Sequence, residues 1–140
     1  MTELDEITHE QVKSLCSDGD KLLDQNEPAA AIDRYRIAFS LLPEPVNQWD
    51  AAKWILAALG DAYFQAGQFT DARDALQEAM HCPGAIGNPF LHLRLGQAQF
   101  ELKNLPRAKD ELARALLLDT SVFEDEDPKY LTYIRRYIKE

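Results

Sequence analysis

Apolar residues recur at intervals of three and four along most of this chain, which is the spacing of one face of an α-helix. The clearest example is the stretch 53–82, where Leu56, Leu59 and Tyr63 form one apolar stripe. Gly67 ends this stripe, and a second stripe follows it. Glycine ends helices because it adopts left-handed backbone angles at little cost. The pattern therefore predicts two consecutive helices joined by a short turn.

Small residues lie where these two helices are expected to cross, and the same arrangement occurs three times. The second hairpin has the small residues Gly60 and Ala72 there, followed by Leu76 and Ala79 in the same pattern. Moving 36 residues on from these four positions gives Gly96, Ala108, Leu112 and Ala115, and moving 41 back gives Gly19, Ala31, Tyr35 and Ala38. One helical hairpin cannot bury its own apolar face, so the three copies are expected to stack.

Capping residues set the expected bounds of the helices. Thr8 and Gln11 match a capping box, which predicts a first helix from near Thr8 to near Gln25. The linker 43–49 carries an insertion with two prolines and is expected to be a rigid break. Asn47 can cap the third helix, which is predicted to run from about 48 to 66.

Asparagines are also expected at both ends of the fifth helix. Asn88 can cap it, with Pro89 at its first position. Lys103 stands where a repeat of this kind usually has glycine, so Asn104 is expected to supply the next turn. The sixth helix is predicted over Leu105–Leu118.

A last helix is predicted at about 127–139, with Asp127 as its cap. Its apolar residues Leu131, Ile134 and Ile138 lie on one face and its charged residues on the other. We expect this helix to cover the open end of the stack, because terminal repeats need a polar outer surface.

The spacing Leu56-x2-Leu59-Gly60-x2-Tyr63, followed by Ala72-x3-Leu76, resembles the signature of the tetratricopeptide repeat (TPR), whose period is about 34 residues. This resemblance implies an all-α fold, a right-handed TPR solenoid of three helix–turn–helix repeats plus a C-terminal capping helix. One domain is expected over residues 1–140, with repeats at about 12–43, 53–84 and 89–120 and the capping helix at about 127–139. The stretches 87–97 and 126–130 also resemble those of small stand-alone bacterial TPR proteins, some of which are thought to be immunity proteins.

Charge limits the kinds of partner. The 140 residues include 24 acidic and 15 basic side chains, for a net charge of −9. This charge argues against nucleic acid and anionic membranes as direct partners and favours a basic partner. The acidic N-terminus does not resemble a signal peptide, and no stretch reaches the roughly 18 apolar residues of a membrane span. Because Cys16 and Cys82 lie in different repeats and form no disulfide framework, a cytoplasmic protein is expected.

No arrangement of residues typical of catalysis is present in the sequence. His9, His81 and His92 lie far apart, and the pair His81–Cys82 has no second pair to complete a metal site. His92 matches an apolar position of the second repeat, which favours a structural histidine. There is no glycine-rich phosphate loop and no nucleophile elbow. We therefore expect no enzyme, no cofactor and no metal.

The TPR resemblance places partner binding in a concave groove lined by the first helix of each repeat. The residues predicted there are Asp20, Leu23 and Asp24 on the first helix, Trp54, Asp61, Phe64 and Gln65 on the third, and Phe90, Leu93, Gln97, Phe100 and Glu101 on the fifth. Aromatic residues ringed by charge are typical of binding hot spots. The alternative is that aromatic residues pack between repeats, which fits Phe64 and Phe100 better than Trp54 and Phe90.

One class of partner is expected to be absent. TPR cochaperones hold the C-terminal carboxylate of chaperone tails with lysine, arginine and asparagine side chains at particular sites on these first helices. The resemblance places those sites at Cys16, Asp20, Asp61, Leu93 and Gln97, none of which is a cation. The sequence therefore predicts that no chaperone C-terminal tail binds.

The predicted function is non-catalytic protein binding in an acidic and aromatic groove, with a partner that offers a basic or apolar surface. One version is an immunity-type inhibitor of a cognate toxin, because an acidic groove would cover the basic active site of a toxin that attacks nucleic acid. The alternative is a secretion-type chaperone or assembly scaffold that holds an extended segment of its client. A complex with a folded domain favours the inhibitor, and capture of an isolated peptide favours the chaperone.

Overall fold

The computed structural model describes residues 4–138, which form seven α-helices and two short 3-10 helices without a β-strand. The α-helices are α1 (Glu6–Asp24), α2 (Pro28–Ser40), α3 (Asp50–Gln65), α4 (Phe69–Ala79), α5 (Pro89–Glu101), α6 (Leu105–Leu118) and α7 (Pro128–Arg135). The 3-10 helices are Val46–Gln48 and Thr120–Phe123. The predicted all-α architecture is confirmed. No described helix has the length and apolar character needed to cross a membrane.

The first six helices form three hairpins that stack in chain order. Helix α1 packs on α2, α3 on α4, and α5 on α6, while α2 contacts α3 and α4 contacts α5. A direct contact between α3 and α5 places the first helices of the second and third hairpins side by side. Each hairpin therefore packs mainly on its neighbours, which is the layout of a solenoid.

A glycine allows the close approach of the two helices in each hairpin. The facing pairs are Gly19 with Tyr35, Gly60 with Leu76, and Gly96 with Leu112. A methyl group added to Gly96 would lie only 2.8 Å from Leu112 Cγ, and one added to Gly60 would overlap the Leu76 side chain. Ordinary contacts between carbon atoms are about 3.5–4.0 Å. The helices therefore cross at the three glycines that the repeat spacing identifies.

The last hairpin shares a separate part of the core with the chain that follows it. We call residues 119–138 the C-terminal segment. Its Phe123, Tyr130 and Ile134 are buried together with Leu93 of α5 and Leu112 of α6. Asp127 caps α7 as predicted, because its Oδ1 accepts a hydrogen bond from the Lys129 amide at 2.9 Å. The helix ends at Arg135, short of the predicted bound at 139, which lies outside the described residues.

Two helix starts differ from the prediction. Helix α1 begins directly after Asp5, whose Oδ1 accepts a hydrogen bond from the Thr8 amide at 2.9 Å, so Thr8 is capped and is not the cap. Helix α3 begins at Asp50, because Val46–Gln48 forms a separate 3-10 turn. Trp49 in this insertion is buried, and its indole N–H donates to the Pro43 carbonyl at 2.8 Å. The insertion is thus packed against the fold.

The turn between α5 and α6 also differs from the prediction. Lys103, and not Asn104, supplies this turn, since it adopts the left-handed conformation with φ of 67°. Gly67 and Asn26 take the same conformation after α3 and α1, with φ of 76° and 62°. The turn after the first helix of each hairpin therefore needs one residue in the left-handed conformation. In the third hairpin this residue is Lys103, for which that conformation costs on the order of 1 kcal/mol.

Candidate functional site

The predicted site lies on the side of α1, α3 and α5 turned away from α2, α4 and α6, which we call the groove face. Helical spacing brings one row of side chains from each of these three helices onto it. The rows contain Asp20 and Asp24 on α1, Trp54, Asp61 and Gln65 on α3, and Phe90, Arg94, Gln97 and Glu101 on α5. The exposure of these residues falls from α1 to α5, so the groove face has an open part and a covered part.

The α1 side of the groove face is acidic and open. Asp20 and Asp24 are exposed, and Leu23 beside them is half-buried. Asp20 Oδ1 accepts a hydrogen bond of 2.5 Å from the Tyr35 hydroxyl. Burial, followed by this bond to the carboxylate, raises the pKa of Tyr35, so the phenol remains a donor at neutral pH. The Asp20 carboxylate is therefore held in one orientation at the surface.

Trp54 is the exposed aromatic side chain of the groove face. Its exposed fraction is 60%, and Lys53 Nζ lies 4.9 Å from the ring centroid. Ala57 and Ala58, which follow it on α3, are small and half-buried. Tryptophan is buried on average in folded proteins, so a ring this exposed beside small residues is a candidate contact for a partner.

A cation that the sequence-based site prediction omits lies on the groove face of α5. Arg94 has an exposed fraction of only 8%. Its Nη1 donates to Gln97 Oε1 at 2.7 Å and to Glu126 Oε1 at 2.6 Å. Its Nη2 forms an ion pair with Asp61 Oδ1 at 3.0 Å. A buried guanidinium needs compensation of this kind, so Arg94 links α3 and α5 with the C-terminal segment.

Two aromatic rings predicted as binding residues flank this arginine. The guanidinium carbon of Arg94 is 4.9 Å from the Phe64 ring centroid and 5.1 Å from that of Phe90. Both rings are half-buried. Since arginine over an aromatic face is a favourable contact that strengthens when water is excluded, both rings have a structural role in holding Arg94.

The C-terminal segment covers the α5 part of the groove face. Gln97 Nε2 donates to Glu126 Oε1 at 2.7 Å, and the Tyr130 hydroxyl donates to Glu101 Oε2 at 2.7 Å. Lys129 Nζ lies 3.0 Å from the same Glu101 oxygen. Burial, followed by the bond to Glu101, raises the pKa of Tyr130, so this tyrosine also remains a donor.

The C-terminal segment buries several of the residues that were predicted to contact a partner. Leu93 and Gln97 have no exposed surface, so neither can contact a partner while the C-terminal segment covers them. Phe100 packs edge-on against Tyr130 at a centroid distance of 5.4 Å, and Phe64 lies 6.5 Å from the same ring. Phe64 and Phe100 therefore both pack inside the protein, which is the alternative that the sequence offered for these two rings. Glu101 is half-buried by its contacts with Tyr130 and Lys129.

The predicted residues that remain accessible are Asp20, Leu23, Asp24, Trp54 and Gln65, with Asp61 at the boundary. Gln65 is exposed, and its Nε2 donates to Asp61 Oδ2 at 3.2 Å. The side chain of Asp61 is 21% exposed, so it faces solvent only in part. The open part of the groove face is therefore formed by α1 and α3.

The position of Arg94 on the groove face could be predicted from the sequence, but its contact with Glu126 could not. Arg94 follows Phe90 by four residues and precedes Gln97 by three, so helical spacing alone places it in the predicted row. Glu126 reaches the groove face only because the chain turns back after α6, and no local pattern specifies that path. The sequence did indicate α7, through the cap Asp127 and the apolar face formed by Leu131, Ile134 and Ile138.

The histidine considered for chemistry is structural. His92 is buried between two partners: its Nδ1 lies 2.6 Å from Glu111 Oε2, and its Nε2 accepts a hydrogen bond from the Gly87 amide at 3.0 Å. Both ring nitrogens are thus engaged, and the ring ties the loop before α5 to α6. Among residues 4–138 no group of three side chains could hold a metal ion.

No protein-family model matches the chain, and the comparison with curated proteins finds no match either. Similar solved structures include the C-terminal TPR-containing domain of a putative FK506-binding protein of Plasmodium falciparum, with 17% identity, a TM-score of 0.76, and coverage of 96% of this chain and 90% of that one. The second TPR domain of human RPAP3, in complex with an HSP70 peptide, has 20% identity, a TM-score of 0.71, and coverage of 95% and 99%. The first TPR of Spaghetti (RPAP3), bound to an HSP90 peptide, has 21% identity, a TM-score of 0.69, and coverage of 91% and 90%.

The chain has a TPR fold. These similarities span almost the whole chain, and at identities of 17% to 21% they concern the fold. The finer resemblance to small bacterial TPR proteins stays a prediction.

The exclusion of chaperone tails is wrong. TPR domains with this fold are described in complex with HSP90 and HSP70 peptides. The exclusion considered five sites without a cation and did not consider Arg94, a cation of the same face that lies between Asp61 and Glu126.

Proposed function

We propose that this chain is a non-catalytic protein-interaction module that holds an extended segment of a partner protein on the open α1–α3 part of its groove face. The observation that carries the proposal is the exposure of Trp54, at 60%, on the same face as the exposed carboxylates of α1. An accessible aromatic ring gives a segment an anchor, and the carboxylates give it orientation.

The chemistry of this open part favours a segment with basic and apolar side chains. Asp20 and Asp24 are exposed acids, and the chain as a whole has a net charge of −9. Opposite charges accelerate encounter and fix register more than they add affinity. An apolar side chain over Trp54 would supply affinity by removing the indole from water.

The size of the open part favours an extended segment over a folded domain. Packed helix axes lie about 8–10 Å apart. An extended chain advances about 3.3 Å per residue, so about three residues match the spacing of two packed helices. A stable interface with a folded domain buries about 800 Å² on each partner and would need surface beyond this face.

These dimensions support the chaperone or scaffold version of the function, in which the chain holds a segment of its client. Peptide complexes of similar TPR structures are in keeping with this version. The immunity-type inhibitor has no support from the comparisons and becomes an outcome of the experiment below.

A cytoplasmic setting and the small stand-alone bacterial type belong to the proposal as well. Cys16 and Cys82 are free, and the first is half-buried while the second is buried. Burial, with a smaller contribution from Asp20, raises the pKa of Cys16 to about 11, so its thiol stays protonated at neutral pH. Unreactive free thiols suit a reducing compartment.

The proposal is tested by site-specific photo-crosslinking in the source cells. A photoreactive amino acid replaces Trp54 in one variant and Arg34, exposed on α2, in a matched control. We expect a protein crosslinked at position 54 and absent at position 34. Equal capture at both positions, or no capture at position 54, would contradict the groove face as the binding site.

The captured protein then distinguishes the two versions of the function. Overlapping peptides of its sequence are titrated against the unmodified chain and against Trp54→Ala. Binding of one isolated peptide, weakened in Trp54→Ala, supports the scaffold or chaperone. Binding by the folded partner alone, in a 1:1 complex that inhibits its activity, supports the inhibitor instead.

A further inference from the structure

The α5 part of the groove face contains a carboxylate site that the chain fills with its own side chain. Glu126 Oε1 accepts hydrogen bonds from Arg94 Nη1 at 2.6 Å and from Gln97 Nε2 at 2.7 Å. Arg94 is 8% exposed and Gln97 is fully buried, so both donors are held in place by packing. A preorganised guanidinium and amide that converge on one oxygen form a built site for a carboxylate.

We propose that Glu126 acts as an intramolecular ligand of this site, and that the carboxylate of a partner peptide binds there when Glu126 moves away. The residues 124–127 are all acidic, so the chain presents an acidic stretch to its own groove face. The site accordingly binds acidic peptide side chains or a free C-terminal carboxylate, in competition with Glu126.

The site can open without loss of the fold. The C-terminal segment is anchored on both sides of Glu126, because Phe123 and Tyr130 are each only 4% exposed. The side chain of Glu126 is 18% exposed and therefore borders solvent. Rotation of this one side chain frees Arg94 and Gln97 while Asp127 still caps α7.

The surroundings of Arg94 favour a planar, charged acceptor. The rings of Phe64 and Phe90 flank the guanidinium at 4.9 and 5.1 Å and keep water away from it. Arg94 Nε is buried and has no hydrogen-bond partner within residues 4–138, so the pair with Glu126 leaves donor capacity unused. A peptide carboxylate that approaches from another direction can therefore accept a hydrogen bond from Arg94 Nε, which Glu126 does not reach.

This site lies beside the α1–α3 part of the groove face and does not depend on the partner proposed there. The two proposals can therefore fail separately. Photo-crosslinking at position 54 tests the first, and a defined acidic peptide tests the second.

The experiment measures the fluorescence anisotropy of dye-labelled tetraglutamate at low salt against three forms of the full chain. The wild type, Glu126→Gln and the control Glu124→Gln are compared, because Glu124 is an exposed acid of the same stretch. We expect Glu126→Gln to bind tetraglutamate about tenfold more tightly than the wild type, because the charged carboxylate of Glu126 no longer competes for Arg94 and Gln97. Glu124→Gln should match the wild type.

Two further measurements show whether the gain in affinity arises at Arg94. Adding Arg94→Gln to Glu126→Gln should abolish the gain, and tetraglutamine should bind no form detectably. Hydrogen exchange of α7 shows whether the segment stays docked in Glu126→Gln. If it does not, Glu126→Asp is used, which keeps the charge but withdraws the carboxylate from Arg94 and should give a smaller gain. A docked variant that binds tetraglutamate no better than the wild type would overturn the proposal, and so would an equal gain in Glu124→Gln.

Discussion

Gly60 shows how the absence of a side chain fixes the geometry of a hairpin. An added methyl group would overlap Leu76, which is fully buried and has no room to move. We expect Gly60→Leu to lower the free energy of unfolding by about 3 kcal/mol, because overpacking forces strained rotamers and backbone shifts. Urea unfolding followed by circular dichroism measures this change.

The control for Gly60 is Ala29→Leu, at an exposed position of α2. Leucine and alanine have similar helix propensities, so this variant should stay within about 0.5 kcal/mol of the wild type. A Gly60→Leu protein that is as stable as the wild type would show that α3 and α4 do not cross at this residue.

Two buried tyrosines make stability depend on alkaline pH. Burial and bonds to Asp20 and Glu101 raise the pKa values of Tyr35 and Tyr130 above the ordinary 10.0. Because the folded state prefers the neutral phenols, this contribution is complete below about pH 10 and is lost as the pH rises above it. Urea midpoints should therefore fall between about pH 9 and about pH 11.

The contribution of each tyrosine is separated by removing its hydroxyl group. Tyr35→Phe and Tyr130→Phe should each show a shallower fall with pH than the wild type. Identical slopes in all three proteins would mean that neither hydroxyl titrates with unfolding.

Single residues also show what the sequence could predict. Gly19, Gly60 and Gly96 were identified from spacing because close helix packing admits few residue types at a crossing. Arg94 was predictable in the same way, since helical periodicity alone puts it on the groove face. Its neutralisation by Glu126 was not predictable, because that contact joins residues 32 positions apart.

At the scale of helices, α7 completes the core of the last hairpin. Ile134 is fully buried and Tyr130 nearly so, against Leu112 and Leu116 of α6. Deleting Pro128–Glu140 would expose this apolar surface to water. We expect a truncated protein that aggregates or unfolds without a cooperative transition, as measured by size-exclusion chromatography and thermal melting.

Thr132→Ala serves as the control for this truncation, because Thr132 is an exposed residue of α7. It should stay monomeric with an unchanged melting temperature. A truncated chain that behaves like this control would show that α7 adds nothing to the core.

The helices could be predicted where the apolar periodicity extends over many residues, but the residues at which they begin could not. The bounds of α6 match the prediction because Pro106 and the periodic residues after it leave little choice. The start of α3 was missed because Val46–Gln48 forms a separate turn that is stabilised by the burial of Trp49. Tertiary packing decides such ends, and it is not visible in a local sequence.

At the scale of the whole molecule, the charge of the open groove face should govern association. Reversing Asp20 and Asp61 together would not test this cleanly, because Asp61 pairs with Arg94 and a lysine there would place two cations side by side. Asp20→Lys with Asp24→Lys changes exposed residues instead. We expect this double variant to lose some stability, because Asp20 accepts the hydrogen bond of the Tyr35 hydroxyl, but to stay folded and to bind the crosslinked partner with a slower association rate.

Surface plasmon resonance at two salt concentrations measures this effect. Added salt should slow the wild type toward the variant, because charges are screened beyond about 10 Å at 0.1 M. Trp54→Ala should weaken binding by about 2 kcal/mol, mainly through faster dissociation. Arg34→Glu on α2 is the control and should bind as the wild type does. Association rates that are the same in the double variant and the wild type would argue against charge steering by α1.

The link between Arg94 and the C-terminal segment has a consequence for biosynthesis. During translation Arg94 and Asp61 leave the ribosome before Glu126 does, and the three hairpins can begin to pack as they emerge. For that interval the nascent chain has an arginine on its groove face without its second carboxylate. We expect the nascent protein to be transiently more receptive to acidic ligands, including those of chaperones near the exit tunnel, than the finished one.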